Sequence, residues 1–267
     1  MKISSNLVKK LRELTGVGIL DCKKALLKKN GDINKSIDYL RKKGKSKALN
    51  KTARTTLQGS IFSGTKNKFG VLLEVNCETD FVAQEENFIN FGKEIVNTAL
   101  KKKICDFNVL KKVFEFKRIH LVSILNENIK ISRYFFLQGD FLYFYLHRTR
   151  IGVLLKSNSN DSSLIKYLAM HIVASKPLYL SPENIPQDIL LRERKIQLSR
   201  SLELGKNISI AEKIVSGRMK KFIGEISLIK QKFVIDPKIT VEKFLKENNI
   251  VIKNFMRFEV GEYLFSS

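Results

Sequence analysis

The chain has 267 residues, 43% of them apolar, enough for one large core or two to three small ones. No stretch reaches the roughly 18 to 20 apolar residues a membrane span needs, and Met1-Lys2 leads straight into a polar helix rather than an apolar leader, so neither a span nor a secretory signal is expected. The net charge of +23 raises a nucleic-acid partner, but Lys and Arg are scattered over every segment, so no specific nucleic-acid site is expected.

Residues 1–50 read as three short helices. Ser4 or Ser5 caps the first, which carries Leu7, Val8, Leu11 and Leu14 on one face. Thr15-Gly16-Val17-Gly18 breaks it. Ile19 to about Lys29 forms the second, Asn30-Gly31 closes it, and Asp32 caps a third that turns Ile33, Ile37 and Leu40 inward. From Lys42 to Thr56 the chain is basic, polar and without periodicity, which reads as a linker, with the domain boundary at 51–56.

The next block is mixed. Strands are expected at Gln58–Phe62, Phe69–Asn76, Ile129–Gln138, Phe141–His147 and Ile151–Lys156, with helices over Glu86–Lys102 and Val109–Asn126. Gly139-Asp140 between two strand runs gives a tight-turn signal of the hairpin kind. A helix over Ser162–Ser175 ends at Lys176-Pro177. Helices over Glu183–Leu204 and Ile208–Phe222 flank the break Gly205-Lys206-Asn207 and form an antiparallel hairpin. A short helix from Thr240 and a strand over Val251–Val260 follow. The fold class is α+β, with antiparallel sheets and helices on one side of them.

Sites for chemistry are scarce. Gly64-Thr65-Lys66-Asn67-Lys68-Phe69-Gly70 lacks the closing Gly-Lys-Ser/Thr of a phosphate loop. His120, His147 and His171 are far apart and match no metal-ligand pattern, and no serine sits in a nucleophile elbow. Cys22, Cys77 and Cys105 share no ligand spacing, and their odd number suits a reducing compartment such as the cytoplasm. No enzyme activity, metal or cofactor is expected.

The most informative stretch is Cys77-Glu78-Thr79-Asp80-Phe81-Val82-Ala83, where an apolar strand hands over to a helix. Taken alone, it has a structural explanation: Thr79 caps the helix and Phe81 turns inward as a hydrophobic staple. Its company adds another. Leu7–Gly18, Asp21–Leu26, Asn30–Ile33, Arg150–Leu154, Ala169–Pro177, Gly217–Phe222 and Arg257–Glu262 follow in an order that resembles the elongation factor Ts family along nearly the whole chain. Members of that family are nucleotide exchange factors of the translational GTPase elongation factor Tu.

The resemblance implies a ubiquitin-associated-like three-helix domain at 1–50. It implies a two-part core, with 57–140 as one half and 141–181 plus 224–267 as the other, and a coiled-coil dimerisation hairpin at 182–223. By resemblance, Phe81 enters an apolar pocket of elongation factor Tu, Asp80 helps to displace the groups that hold magnesium, and Thr79 and Val82 complete the contact. Leu7, Val8, Arg12, Ile19 and Leu20 are contact candidates on the first domain, with plain core the alternative for Leu7 and, more strongly, Leu11. His147 is a further contact. Three departures stand out: Arg148 where the family has glycine, Ser132 where many relatives have arginine, and an end at Ser267 where relatives often carry another helix. The rival function is a basic RNA-binding or ribosome-associated protein, whose RNA binding would fall steeply with salt.

Overall fold

The second strand of the chain sets the architecture. Val71, Leu72, Leu73 and Val75 are all fully buried, so both faces of their strand are covered and not one. The computed structural model describes residues 3–204 and 207–262. In it, β1 (Gln58–Lys66), β2 (Phe69–Cys77) and β3 (Lys130–Gln138) form one antiparallel sheet in the order β1-β2-β3. A second antiparallel sheet, in the order β4-β5-β6, contains β4 (Phe141–His147), β5 (Ile151–Ser157) and β6 (Ile252–Glu259).

The two sheets pack face to face through Ile61, Leu72, Leu137, Leu154 and Phe258. Gly152 permits this approach: a Cβ there would stand 2.5 Å from Ile61 Cγ2 and 2.9 Å from Leu72 Cδ1. The outer face of the first sheet carries α5 (Glu86–Lys102) and α6 (Phe107–Leu125), with Phe88, Ile95, Leu110 and Phe114 in its core. The outer face of the second carries α7 (Ser162–Ser175) and α10 (Val241–Glu247), around Leu168, Ile172, Phe233 and Phe244. The fold is α+β, helices on the outside of a double sheet.

A buried charge stitches the sheets at one end. Glu74 is fully buried on β2 and accepts from Arg133 Nε at 2.5 Å, from Gly261 N at 2.9 Å and from Asn76 Nδ2 at 2.9 Å. Arg133 also donates to the Glu259 carbonyl at 2.7 Å and lies 4.3 Å from the Phe258 ring centroid. A buried carboxylate survives only with such pairing, and removing one partner typically costs about 3–5 kcal/mol.

Three readings of the sequence need correction. Gly139-Asp140 does not make a hairpin: β3 pairs with β2 and β4 with β5, so the two residues carry the chain from one sheet to the other. Lys42–Thr56 is mostly not a linker. The third helix, α3, runs Ile33–Lys51, and Ser36, Leu40, Gly44, Ala48 and Lys51 are its buried stripe at helical spacing. The stripe was hard to see because it continues in small and basic residues. Gly44 meets α6 so closely that a Cβ would stand 2.3 Å from Ser123 Oγ. Finally, the first hairpin helix, α8, begins at Gln187, because Pro182–Asn184 forms a separate single 3-10 turn and Pro186 precedes the helix.

Helices α8 (Gln187–Glu203) and α9 (Ile208–Ile226) pack as an antiparallel pair. Gly205 and Lys206, two of the three residues expected to break them, lie outside the described residues. Among the described residues no helix is long and apolar enough to cross a membrane.

Candidate functional site

Strand β2 stops at Cys77, and α4 (Asp80–Ala83) follows as a single turn before α5. Thr79 caps α4, its hydroxyl accepting from Val82 N at 3.4 Å. The cap part of the structural explanation therefore holds. The staple part does not. Phe81 is 81% exposed, while Val82 packs on the core and Ala83 is buried beneath it. Asp80 is exposed beside Phe81. A phenylalanine held this far out contributes little to its own core.

The mount under Phe81 comes from a loop that the sequence reading passed over. Glu127 Oε2 accepts from the amides of Glu78 and Thr79, each at 3.0 Å, and Oε1 accepts from the Thr79 hydroxyl at 2.6 Å. The neighbouring Asn128 N donates to Glu78 Oε1 at 2.7 Å, and Asn128 Nδ2 donates to the Arg54 carbonyl at 2.9 Å. Lys51 Nζ donates to the Asn126 carbonyl at 2.6 Å. Three consecutive residues, Asn126-Glu127-Asn128, thus fasten the end of α3 and the turn that carries Phe81. Their signal is weak in the sequence because polar residues after a helix usually mean only a solvated loop.

Burial, followed by the Glu127 charge, pushes the Cys77 thiol up to about 12. Its Sγ–H donates to the Thr79 carbonyl at 3.1 Å, so it acts as a structural donor and not as a nucleophile.

The other expected contacts are distributed as follows. Ile19 (52% exposed) and Leu20 (73%) open α2 (Ile19–Lys28), with Leu14 (59%) exposed at the end of α1 (Ser5–Thr15). Arg12 is exposed, and Leu7 is half-buried against the helical core. Val8 is a correction: with Leu11 and Leu26 it fills the core of the first three helices and presents little surface to a partner. Leu14, placed on the inner face by its spacing, is exposed instead, in the last turn of α1 before the left-handed Gly16.

His147 is exposed at the end of β4. The turn after it closes through Arg150 N donating to the His147 carbonyl at 3.1 Å, with Arg148 at φ 48° and Thr149 at φ 55°. Arg148 therefore takes the left-handed backbone that glycine would adopt freely. The turn is docked on β1: Ile61 N donates to the Thr149 carbonyl at 2.7 Å, and Arg150 Nη1 to Gln58 Oε1 at 2.6 Å. Ser132 lies on β3 beside Arg133, which is committed to Glu74. Among the described residues no group of three or more His, Cys, Asp or Glu is placed to hold a metal ion.

Comparison with known proteins gives the family of the chain. The family model for elongation factor TS matches residues 78–262. Elongation factor Ts of Yersinia pestis (strain Pestoides F) is 50% identical over 262 residues, covering 97% of this chain and 92% of that protein. Elongation factor Ts of Yersinia pseudotuberculosis serotype O:1b (strain IP 31758) matches to the same extent. The chain is thus a translation elongation factor by class. Within that class it belongs to the elongation factor Ts family.

Proposed function

We propose that the chain is a guanine nucleotide exchange factor that binds elongation factor Tu carrying GDP and speeds release of the nucleotide. The observation that carries this reading is Phe81, 81% exposed on a turn fastened from below. A GTPase holds GDP through phosphate-loop amides and magnesium. An exchange factor binds the state in which those contacts are broken, and the coupling is reciprocal: the factor weakens GDP binding and GDP weakens factor binding. A thousandfold faster release needs about 4 kcal/mol of barrier reduction. Burying one phenylalanine side chain supplies roughly 1.5–3 kcal/mol of it. Asp80, beside it, adds a negative charge aimed at the groups that hold magnesium, while Thr79 and Val82 keep the turn in place. Arg12, Ile19, Leu20 and His147 dock the rest of the surface, with Leu7 at the margin.

On this reading no bond is made or broken by the chain itself, no cofactor is needed, and the work is done in the cytoplasm, where translation takes place. The three helices ending at the 51–56 boundary form a docking unit, and 57–140 and 141–181 plus 224–267 form the two halves of the core. The hairpin at 182–223 is the self-association module. Leu191, Leu202, Leu204 and Ile208, all exposed on it, are the surface a second copy would cover.

The test is release of a fluorescent GDP analogue from purified elongation factor Tu, followed by stopped flow with and without this chain. Acceleration that depends on the concentration of the chain supports the proposal. An unchanged release rate, with the chain folded by circular dichroism, would sink it.

A further inference from the structure

Strand β1 is an edge of its sheet, and part of that edge is uncovered. Ile61 N reaches outward to the Thr149 carbonyl rather than to β2. In an antiparallel ladder the residues alternate between facing the partner and facing away. Ser63 and Thr65, opposite Leu72 and Gly70, therefore point their amides and carbonyls away from β2 as Ile61 does. Beyond Thr149 no other strand among the described residues covers them.

The edge opens into a groove of about 740 Å³. Its far wall is α5, which offers Ile89, Val96 and Leu100, and its ends are the α4 turn at Ala83-Gln84 and the β4–β5 turn at Leu146 and Thr149. Lys66, Lys93 and Lys101 line it, and no Asp or Glu does. All three lysines are exposed, and none has an ion-pair partner among the described residues. Lysines on an edge strand itself commonly serve to repel stray strands. Lys93 and Lys101 are different: they stand across the groove on the helix, eight residues apart. That separation is about 12 Å along a helix at 1.5 Å per residue. It matches about 13 Å for four residues of an added strand, whose side chains at i and i+4 share one face.

We propose that this groove takes an extended acidic peptide segment of a protein partner, which adds as a strand to Ser63–Thr65 of β1 and sets acidic side chains four residues apart against Lys93 and Lys101. Backbone pairing supplies the affinity, as in other strand-addition sites, and the lysine spacing supplies the selectivity. Phe81 does not line this groove, although the α4 turn that carries it forms one end, and the inference does not rest on the exchange reading.

The probe is a fluorescein-labelled octapeptide alternating valine and glutamate, titrated with the full chain at about physiological salt. Fluorescence anisotropy gives affinity, and amide chemical shifts give location. Saturable binding with the largest shifts at Ser63 and Thr65 is expected. A peptide of equal charge with proline at alternate positions, which cannot pair, should bind at least about tenfold more weakly. So should the wild-type peptide to the double variant Lys93→Glu, Lys101→Glu, whose fold is checked by circular dichroism. Equal binding of the proline peptide would mean ionic adhesion only and overturn the proposal. Unchanged affinity of the double variant, shifts centred elsewhere, or a poly-uridine strand that displaces the peptide from Ser63 and Thr65 would overturn it as well.

Discussion

Among the regions of this molecule that expose apolar side chains, two are held in opposite ways. At α4 a single ring, Phe81, stands out from a four-residue turn fastened at three points: Thr79 by Glu127, Glu78 by Asn128, Val82 by the core beneath it. In the α8–α9 hairpin the exposed residues are many and the fastening is thin. Across 17 and 19 residues of helix, only Ser201, Ala211 and Val215 are buried. On the proposed reading, a lone ring on a stiff mount needs little further ordering in order to insert. A long pair of helices with bare flanks gains most from being covered. The first arrangement suits action on a partner and the second suits association.

The sharpest way to break this contrast is to remove the ring and leave its mount. Phe81→Ala should slow nucleotide release from elongation factor Tu by about 10- to 100-fold relative to wild type, the equivalent of the 1.5–3 kcal/mol that burying the ring supplies. Its melting temperature should stay within a degree or so, because an 81% exposed side chain does not hold the core. A variant that unfolds would show the ring to be structural after all. Glu127→Ala reverses the experiment, keeping the ring and loosening the mount. It deprives two amides and a hydroxyl of their acceptor, costing about 2 kcal/mol of stability by thermal melt. Its exchange loss should be smaller than that of Phe81→Ala. A loss as large with an unchanged melting temperature would mean that Glu127 itself touches the partner.

How much of this is legible in the sequence depends on where the signal resides. The strand over Phe141–His147 and the helix over Glu86–Lys102 match the structure residue for residue, because apolar patterning and local caps decide them. The exposed ring was legible only as a resemblance, since the local pattern of Thr79 and Phe81 equally suits a staple. Tertiary partners decided the rest. Gly139-Asp140 has hairpin chemistry, yet β2 takes β3 and leaves β4 to the other sheet. The continuation of α3 rests on Gly44 and Ala48 fitting against α6, which no period of large apolar residues announces. Val8 was a contact candidate only through the resemblance, while its helical spacing with Leu11 already suited the core that it fills. Glu127 gave no signal, because its role depends on residues almost fifty positions away.

Replacing residues 187–222 by a short Gly/Ser connector tests the other side of the contrast. Phe81 and its mount share no residue with the hairpin, so exchange should stay within about twofold of wild type. Any dimer seen by sedimentation velocity in the wild type should disappear. Lost exchange in a folded variant would end the proposed division of labour. A dimer that persists would place self-association on another surface.

The smallest expected effect lies at the hairpin's root, which is fastened unlike its flanks. His171 is fully buried on α7, with Nε2 2.9 Å from Gln231 Oε1 and Nδ1 accepting from Val234 N at 3.2 Å. Gln231 Nε2 in turn donates to the Glu225 carbonyl near the end of α9 at 2.5 Å. An amide donor on Nδ1 leaves Nε2 to carry the only ring hydrogen, so this network, as assigned from its hydrogen bonds, needs the neutral histidine. Burial lowers the His171 pKa from 6.5, opposed in part by the bond to Gln231. The unfolded chain therefore takes up a proton before the folded one does. The stabilisation is fully present above pH 6.5 and is lost as pH falls through the lower folded value. Between pH 7.5 and 5.5 the melting temperature should drop by a few degrees, about 2–4 °C for each kcal/mol in a chain of this size. Glu259, held low by Lys176 and Arg257, contributes only below that window, since its ordinary value is already 4.5. His120 is also lowered, by desolvation from the groove it lines and then by Arg41, but its side chain remains open to solvent, so His120→Gln should leave most of the slope. His171→Gln should flatten it. If the slope survives His171→Gln, the root is not held by this histidine and its acid sensitivity arises elsewhere.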